Sequence, residues 1–233
     1  RTPRTSIKMF SDLLKRRLRS GDTKAKEYLG IIDGESDRLN RMVSNILDAA
    51  RIDKGEKEYF LTDIDLCDAA RQVLQSMKYQ VQKHGFRMEY KSPRSHLIIH
   101  ADADAVAQAI INLVANAIKY STQKKLLRVE VAKKNGWALC RVTDHGSGIS
   151  GEALPHLFEK FYREPTHSSA VQGVGLGLPL VKHIMDAHNG RVEVRSTPGK
   201  GSVFTLSFPC RTSQNINRQG AKNAKKLVKI RRK

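Results

Sequence analysis

The chain is organised around the stretch Gln108-Ala-Ile-Ile-Asn112-Leu-Val-Ala-Asn116-Ala-Ile-Lys119-Tyr120-Ser121. Its apolar residues recur at helical spacing, so the stretch predicts a helix with one buried face. Asn112 and Asn116 lie four residues apart, one turn above each other on the same face of that helix. An Asn side-chain oxygen is a ligand that Mg²⁺ accepts beside phosphate oxygens and water. On spacing alone such a pair is more often capping or packing chemistry, so the magnesium interpretation depends on other segments.

The composition is that of a globular chain with a basic end. Its 233 residues and 39% hydrophobic content suffice for one or two packed domains. The formal net charge is +19, but residues 210–233 carry nine basic side chains and no acid, so the remainder holds +10. This distribution predicts a basic, disordered and solvated tail over residues 210–233. The three cysteines form no Cys-x-x-Cys pair, which fits a reducing compartment.

Residues 1–55 predict two antiparallel helices separated by a break at residues 20–22. The second helix carries apolar residues from Tyr28 to Ala49 at a spacing close to a 3.5-residue repeat. Because two helices alone cannot enclose a core, we expect them to pair with another copy in a four-helix bundle, which makes the protein a homodimer. A turn-like segment at residues 54–57 separates this part from the rest.

Residues 58–209 predict helices packed on one mixed, mainly antiparallel sheet, an α+β sandwich. The central helix is expected to begin after an Asp102 N-cap, and a hairpin is expected to turn at Asn135-Gly136. Gly190 is expected to end the last helix. The remaining predicted helices cover residues 67–83 and 178–189, and the predicted strands cover residues 59–64, 86–91, 96–100, 128–133, 137–143, 191–196 and 202–208.

A second group of chemically distinctive residues follows the strand at residues 137–143. Asp144 ends this strand beside Gly146 and Gly148, where a bare backbone lets a ligand approach closely. A carboxylate in this position can accept a hydrogen bond from an amino group, such as the exocyclic amine of adenine. Judged alone, the segment is equally well explained as an Asx turn after a strand.

A third group is the glycine-rich run Gly173-Val174-Gly175-Leu176-Gly177-Leu178 before the last helix. Alternating glycines at a helix N-terminus allow backbone N–H groups to face a phosphate chain, whose charge the helix dipole favours. The run is not a P-loop, because it lacks Gly-x-x-x-x-Gly-Lys-Ser/Thr. It is also a poor dinucleotide fingerprint, because a lid-like loop precedes it where a strand should be.

The order of these segments closely resembles the sensor histidine kinase catalytic domain, from the superfamily of gyrase and the ninety-kilodalton heat-shock chaperone. The family's N, G1, F, G2 and final glycine boxes match Asn112-x-x-x-Asn116, Asp144-x-Gly146-x-Gly148, Phe158-x-x-Phe161, Gly173-x-Gly175-x-Gly177 and Gly199-x-Gly201-Ser202. The opening Arg1-Thr2-Pro3 resembles part of the family's His-Glu-Leu-Arg-Thr-Pro motif. The resemblance implies an α+β chain: a helical-hairpin dimerisation domain at residues 1–55, then an α/β sandwich of the histidine kinase ATPase-like (Bergerat) type at residues 58–209.

The resemblance also implies roles for individual residues. Asn116 would hold Mg²⁺, Asn112 would support the shell of metal-bound water, and Asp144 would bind the adenine amine. Lys119 and Arg163 would meet phosphates, and residues 162–172 would form a mobile lid that Phe158 and Phe161 anchor by packing. The nucleotide pocket would be completed by Tyr120, Gly146, Gly148, Ile149, Gly173, Val174, Gly175, Leu176, Gly177, Leu178 and Ser202.

The activity that the resemblance implies is that of an ATP-dependent protein histidine kinase with ATP and Mg²⁺ as cofactors. ATPases of the superfamily place a Glu where Asn112 stands, and a neutral amide is a poor base, which favours phosphoryl transfer over hydrolysis. The expected partner is the receiver domain of a response regulator, with Thr2 helping water to remove its phosphate. We expect a cytoplasmic location, with membrane attachment only through an upstream region.

The phosphoacceptor His is not identified among the eight histidines of this sequence. None of them stands in a His-Glu/Asp-x-x-Thr/Asn context, and the alignment of Arg1 with the motif places that His three residues before Arg1. Two alternatives stay open. One is a truncated ATP-binding dimer that scaffolds or competes with intact kinases. The other is a nucleic-acid or anionic-lipid binder acting through the tail, against which the lack of interleaved aromatic residues counts.

Overall fold

The computed structural model describes residues 36, 39–40, 42–121, 124–164 and 174–210. The chain divides into two compact units, Arg1–Lys57 and Glu58–Lys233, and each is described by itself. The first predicted helix and the start of the second lie outside the described residues, as does the predicted tail after residue 210. Among the residues that are described, no helix is both long enough and apolar enough to span a bilayer.

The first unit contains helix α1 over residues 42–53. Large apolar side chains recur along this region at spacings of three and four residues and remain 46–55% exposed: Leu39, Val43, Ile46 and Leu47. Spacings of three and four place these side chains on one face of a helix. The buried Asp48 is held by an ion pair in which Lys57 Nζ lies 2.6 Å from Asp48 Oδ1. The helix therefore carries an apolar face without cover from the described part of its own unit.

The second unit alternates strands and helices, with one short 3-10 turn at Leu154–His156. Its helices are α2 (Leu66–Lys83), α3 (Ala103–Tyr120) and α4 (Gly177–Ala187). Its strands are β1 (Thr62–Asp65), β2 (Arg87–Lys91), β3 (Ile98–Ala101), β4 (Leu126–Lys134), β5 (Trp137–Thr143), β6 (Arg191–Thr197) and β7 (Gly201–Pro209).

Five of the strands form a mixed, mainly antiparallel sheet in the order β2-β4-β5-β7-β6, in which only β2 and β4 run parallel. The expectation of a single sheet is wrong, because β1 and β3 pair with each other as a separate antiparallel ribbon.

β1 also begins later than predicted. The Phe60 N–H donates to Asp102 Oδ2 at 2.9 Å, so it is not available to a strand partner.

The core lies between one face of the sheet and the helices, with α3 packed between α2 and α4. α3 contributes Val106, Ile110 and Leu113, each at most 1% exposed. The alternating residues Leu127, Val129 and Val131 of β4 are buried, as expected for a strand with one covered face. This packing places the start of α4 beside Asn112 of α3, where the candidate site lies.

The predicted helix start and hairpin turn are confirmed, whereas the predicted helix stop is wrong in detail. Asp102 caps α3 by accepting a hydrogen bond from the Ala105 N–H at 3.0 Å, and Asn135-Gly136 turns with two positive φ angles. At the end of α4, Asn189 takes the left-handed conformation, with φ 52°, and the Gly190 N–H donates to the Met185 carbonyl. Gly190 is needed for packing, since a Cβ there would lie 2.8 Å from the Ser207 carbonyl oxygen.

Candidate functional site

One of the two amides of the central helix, Asn112, lies where α4 begins. Asn112 and Asn116 are both half-buried on α3, and a Cβ on Gly177 would lie 3.4 Å from Asn112 Oδ1. Asn112 Nδ2 is buried and has no hydrogen-bond partner in the described part of the chain. A buried donor without a partner costs about 1–3 kcal/mol. This donor therefore fits an oxygen supplied from outside the chain, such as a phosphate oxygen or a metal-bound water.

The C-terminal end of α3 packs against the loop that follows β5. The Tyr120 carbonyl accepts a hydrogen bond from the Ser147 N–H at 3.2 Å. A Cβ on Gly146 would come within 2.4 Å of that carbonyl oxygen, so only glycine allows this approach. Lys119 Nζ lies 3.1 Å from the Tyr120 hydroxyl and 4.7 Å from the centre of its ring. The cation and the aromatic ring predicted for the site are therefore adjacent.

Asp144 is buried in the loop after β5, with 7% of its surface exposed. Its Oδ1 accepts hydrogen bonds from the Gly146 N–H at 2.8 Å and the Ser202 N–H at 3.2 Å. Burial raises the pKa of the Asp144 carboxyl above its ordinary value, although these two N–H groups oppose the shift. Both bonds end on Oδ1, which leaves Oδ2 to accept a hydrogen bond from a ligand.

The turn between β6 and β7 holds the Asp144 loop through direct backbone contact. The Gly199 N–H donates to the Ser147 carbonyl at 2.6 Å. Gly148 has φ +70°, and a Cβ on it would lie 2.1 Å from the Thr197 carbonyl oxygen. Gly201 has φ +102°, and a Cβ on it would lie 2.3 Å from the Asp144 carbonyl oxygen. The glycine segment after β5 and the glycine turn between β6 and β7 are therefore in direct backbone contact.

The phenylalanine segment meets the glycine run through its backbone. The Phe161 N–H donates to the Gly175 carbonyl at 3.0 Å, and Phe161 itself has a φ of 64°. The Phe161 side chain is 66% exposed, so the expectation that it anchors a lid by packing is wrong. The contact between the two segments is this hydrogen bond and the close approach of Gly175, on which a Cβ would lie 2.8 Å from Phe161 Cα. Phe158 is half-buried.

The structure gathers most of the predicted residues into three contacts: α3 with the start of α4, α3 with the Asp144 loop, and that loop with the β6–β7 turn. Leu176 is buried, Val174 and Leu178 are half-buried around the start of α4, and Arg163 is exposed. Thr2, Gly173 and residues 165–172 of the expected lid lie outside the described residues. Ser196 was missed. Its hydroxyl accepts a hydrogen bond from the Ile149 N–H at 2.9 Å, a contact that no local sequence signal announces.

Two family models match the chain in succession. The first is the His Kinase A (phospho-acceptor) domain, over residues 1–55. The second is the Histidine kinase-, DNA gyrase B-, and HSP90-like ATPase, over residues 101–212. Together they cover most of the chain, in the order that the sequence analysis predicted.

Curated relatives and solved structures agree with these matches. The chain is 33% identical over 209 residues to the sensor histidine kinase YkoH of Bacillus subtilis, covering 89% of this chain and 45% of the relative. It is also 33% identical over 176 residues to the sensor-like histidine kinase SenX3 of Mycobacterium tuberculosis, covering 75% of this chain and 43% of the relative. It therefore spans less than half the length of these relatives.

Among solved structures, full-length ShkA in complex with AMPPNP superposes with a TM-score of 0.67 at 25% identity, over 91% of this chain and 44% of that one. The catalytic domain of the histidine kinase ThkA superposes with a TM-score of 0.57 at 23% identity, over 64% of this chain and 97% of that one. These likenesses confirm the predicted fold class. With both family models matched and named sensor kinases among its relatives, this chain belongs to the two-component sensor histidine kinase family.

Proposed function

We propose that this chain is the catalytic core of a sensor histidine kinase, which binds Mg-ATP and transfers its γ-phosphoryl group to a histidine for relay to the receiver domain of a response regulator. The observation that carries the proposal is the buried Asp144 carboxylate, whose Oδ2 stays available while two backbone N–H groups hold Oδ1. The dimerisation domain at residues 1–55, the nucleotide-binding domain at residues 58–209 and a cytoplasmic location of this region belong to the same proposal.

Adenine recognition would rest on Asp144. A carboxylate oxygen accepts but cannot donate when it is ionised, so Oδ2 suits the exocyclic amine of adenine. Gly146 and Gly148 let the Tyr120 and Thr197 carbonyls approach this loop closely, which holds the carboxylate in place. The base would thus be selected by a fixed acceptor whose geometry two backbone bonds determine.

Phosphate recognition would rest on the facing ends of α3 and α4. Asn116 would hold the Mg²⁺, and the unpaired Asn112 Nδ2 would donate to a metal-bound water or a phosphate oxygen. The N-terminus of α4, which begins at Gly177, offers backbone N–H groups and the positive end of a helix dipole. Lys119 and Arg163 would add cationic charge. The metal, when bound, would neutralise charge on the transferring group.

The residue at position 112 favours a kinase over an ATPase. A neutral amide cannot take a proton from water, so the site lacks a general base at the place where superfamily ATPases carry a Glu. The phosphoryl group would therefore pass to a histidine side chain, and Thr2 would assist the later removal of phosphate from the response regulator. The comparisons do not favour the alternative of a non-catalytic scaffold, since the matched relatives bear kinase names.

A nucleotide titration of the Asn116→Ala variant tests the proposal. We expect wild-type chain to bind ATP more tightly with Mg²⁺ than without it, and the variant to lose about tenfold of that affinity only when Mg²⁺ is present. Asn135→Gly, which removes an amide from the exposed β4–β5 turn, is the matched control and should bind as wild type does. A wild-type chain without magnesium-dependent ATP binding would contradict the proposed function.

A further inference from the structure

The basic segment at residues 211–233 begins directly after a residue that pairs with the β1–β3 ribbon. Cys210 forms an isolated antiparallel bridge with Ile99 of β3, and Ile99 pairs with β1 on its other side. Because the bridge is antiparallel, the chain direction at Cys210 points toward Ile98, the residue before Ile99. The chain therefore enters the basic segment along the edge of β3 that does not pair with β1.

The outer side of this ribbon carries acidic residues. Ile99 and Ala101 of β3 are fully buried, so the alternate residues of that strand face outward. Asp63 and Asp65 of β1 are the partners of these outward residues, so their side chains lie on the same outer side. An oxygen of Asp68, in the first turn of α2, lies within 4.8 Å of an Asp65 oxygen. These three carboxylates form an acidic surface that continues from the ribbon onto the start of α2.

The sequence that forms this part of the second unit contains acids but neither lysine nor arginine. Residues 58–70 and 95–118 include the ribbon and the starts of α2 and α3. Their six acidic residues are Glu58, Asp63, Asp65, Asp68, Asp102 and Asp104. The acidic surface therefore lies within a region of one sign of charge, in a chain that is strongly basic as a whole.

Each carboxylate of the acidic surface already has one basic partner, and these partners can be exchanged. The pairs are Asp63 with His100, Asp65 with His96, and Asp68 with Arg71. Between 38% and 78% of each basic side chain is exposed to solvent. Exposed ion pairs contribute at most about 1 kcal/mol each. A segment that brings many cations to the same place can therefore compete with these partners.

Residues 211–233 have the opposite charge and sufficient length to cover the acidic surface. They hold nine basic side chains and no acid. β1 and β3 have four residues each, which is about 13 Å of ribbon, whereas residues 211–233 could extend to roughly 75 Å. Because Cys210 joins the segment to the edge of the ribbon, the cations have a high effective concentration there.

We propose that residues 211–233 dock on the acidic surface formed by Asp63, Asp65 and Asp68, which is thus an intramolecular binding site for a basic segment of the same chain. The attraction between opposite charges requires no fixed fold of the segment, so docking is compatible with its predicted disorder. The inference goes beyond the proposed function and does not depend on it, because the proposed nucleotide site uses other residues.

Cross-linking of the full chain with a carbodiimide tests this placement, because the reagent joins a lysine amine directly to a carboxylate that it contacts. At about 20 mM salt, we expect the lysines of residues 211–233 to be joined to Asp63 or Asp68 at least about fivefold more often than to Glu152 or Glu193. These two glutamates are exposed acids elsewhere in the second unit. At about 0.5 M salt the preference should vanish, since the Debye length falls to roughly 4 Å. An even distribution of cross-links at low salt would overturn the inference.

A mixture of isotope-labelled and unlabelled chains identifies the source of the docked segment. Cross-links within one chain support the intramolecular site. Cross-links that join only labelled to unlabelled chains would assign the acidic surface to the basic segment of a second copy, and would overturn it.

The Asp63→Asn/Asp68→Asn variant of the full chain tests the role of charge. Thermolysin cleaves before bulky apolar residues, and its cleavage rate within residues 211–233 is measured relative to a synthetic peptide of the same sequence. We expect the variant to be cleaved about fivefold faster than the wild type, because a docked segment is protected. Glu152→Gln/Glu193→Gln removes the same amount of charge from exposed positions and should be cleaved at the wild-type rate.

Equal cleavage rates in the three chains would contradict docking on the acidic surface. Protection that occurs only after anionic phosphatidylglycerol vesicles are added would assign the segment to a membrane surface and likewise overturn the inference. If circular dichroism shows that the Asp63→Asn/Asp68→Asn variant does not fold, wild-type cleavage at the two salt concentrations gives the comparison. A relative rate that does not rise with salt would then overturn the inference.

Discussion

At the scale of single residues, the buried charge of Asp144 lowers the folding stability but serves the proposed ligand binding. Its pKa is raised by burial, so the native carboxyl holds a proton more tightly than the unfolded one does. The native state therefore binds more protons between the ordinary and the raised pKa, and stability is lost as the pH rises through that window. Above the raised pKa, the ionised carboxylate is retained in the folded protein at a cost, which fits a residue kept for binding.

Asp144→Asn should therefore separate the two properties. An amide oxygen can still accept from the Gly146 and Ser202 N–H groups, but it carries no charge to bury, so we expect equal or greater stability at pH 7. Affinity for ATP should fall about tenfold or more, because a charged acceptor is lost. Urea unfolding at pH 5 and pH 7, with an ATP titration, measures both. A variant that is less stable than wild type at pH 7 but binds ATP normally would reverse this assignment.

Single residues also show which parts of the candidate site can be predicted from the sequence. Asp144 and the glycines were predicted because each stands in a short local pattern whose chemistry is legible. Ser196 was not, because its partner Ile149 lies 47 residues away and a serine near a strand end is unremarkable. Phe161 was misjudged for a related reason. The family resemblance implies that its side chain packs, whereas Phe161 takes a positive φ, its N–H pairs with the Gly175 carbonyl, and its side chain is exposed.

At the scale of helices and strands, one junction joins three parts of the second unit. The Asp102 N–H donates to His188 Nε2 at 3.0 Å, which makes Nδ1 the protonated nitrogen, and Nδ1–H donates to the Ile184 carbonyl at 2.6 Å. Asp102 Oδ2 accepts from the Phe60 N–H, and the Tyr59 ring packs edge-on to His188 at 5.2 Å. The start of α3, the end of α4 and the segment before β1 therefore share one hydrogen-bond network.

Asp102→Ala should destabilise the protein more than Asp104→Ala, a substitution at an exposed position two residues away. The substitution removes the α3 cap and also the acceptor for Phe60, so we expect a loss of about 2 kcal/mol in the free energy of unfolding. Asp104→Ala, also in the first turn but not the cap, should cost only a few tenths of a kcal/mol through the helix dipole. Urea unfolding of both variants gives the comparison. Equal losses would show that the cap and the bond to Phe60 together contribute nothing beyond the helix dipole.

The helices were more predictable than the strand pairing, for a physical reason. The start of α3 is set by a local cap at Asp102, and the β4–β5 turn by Asn135-Gly136, whose positive φ angles few residues adopt easily. Strand partners depend on contacts between distant segments. β1 and β3 each have an ordinary strand composition, and nothing local indicates that they pair with each other outside the main sheet.

At the scale of the whole molecule, α3 and α4 link the two ends of the second unit. Gly177 stands beside Asn112 at one end of α4, and His188 bonds Asp102 at the other, so the two helices run antiparallel. The phosphate-binding end proposed for α4 and the end that lies beside Tyr59 and Asp102 thus belong to the same helix. Substitutions in the Asp102–His188 network should therefore change mainly the stability, whereas substitutions in the proposed phosphate site should change mainly the nucleotide affinity.

The exposed apolar face of the first unit leads to a prediction about assembly. Val43 and Leu47 lie one turn apart and are 54% and 55% exposed, and a helix of a globular protein normally buries its apolar face. If this face joins a four-helix bundle with a second copy, the Val43→Glu/Leu47→Glu variant should elute as a monomer where wild type has twice the 26.2 kDa chain mass by light scattering. Ser44→Glu, which adds one charge at the exposed position beside Val43, should remain dimeric. ATP affinity should be unchanged in both variants, because Asp144, Asn112 and Asn116 belong to the other unit. A doubly substituted chain that stays dimeric would place the contact between copies elsewhere.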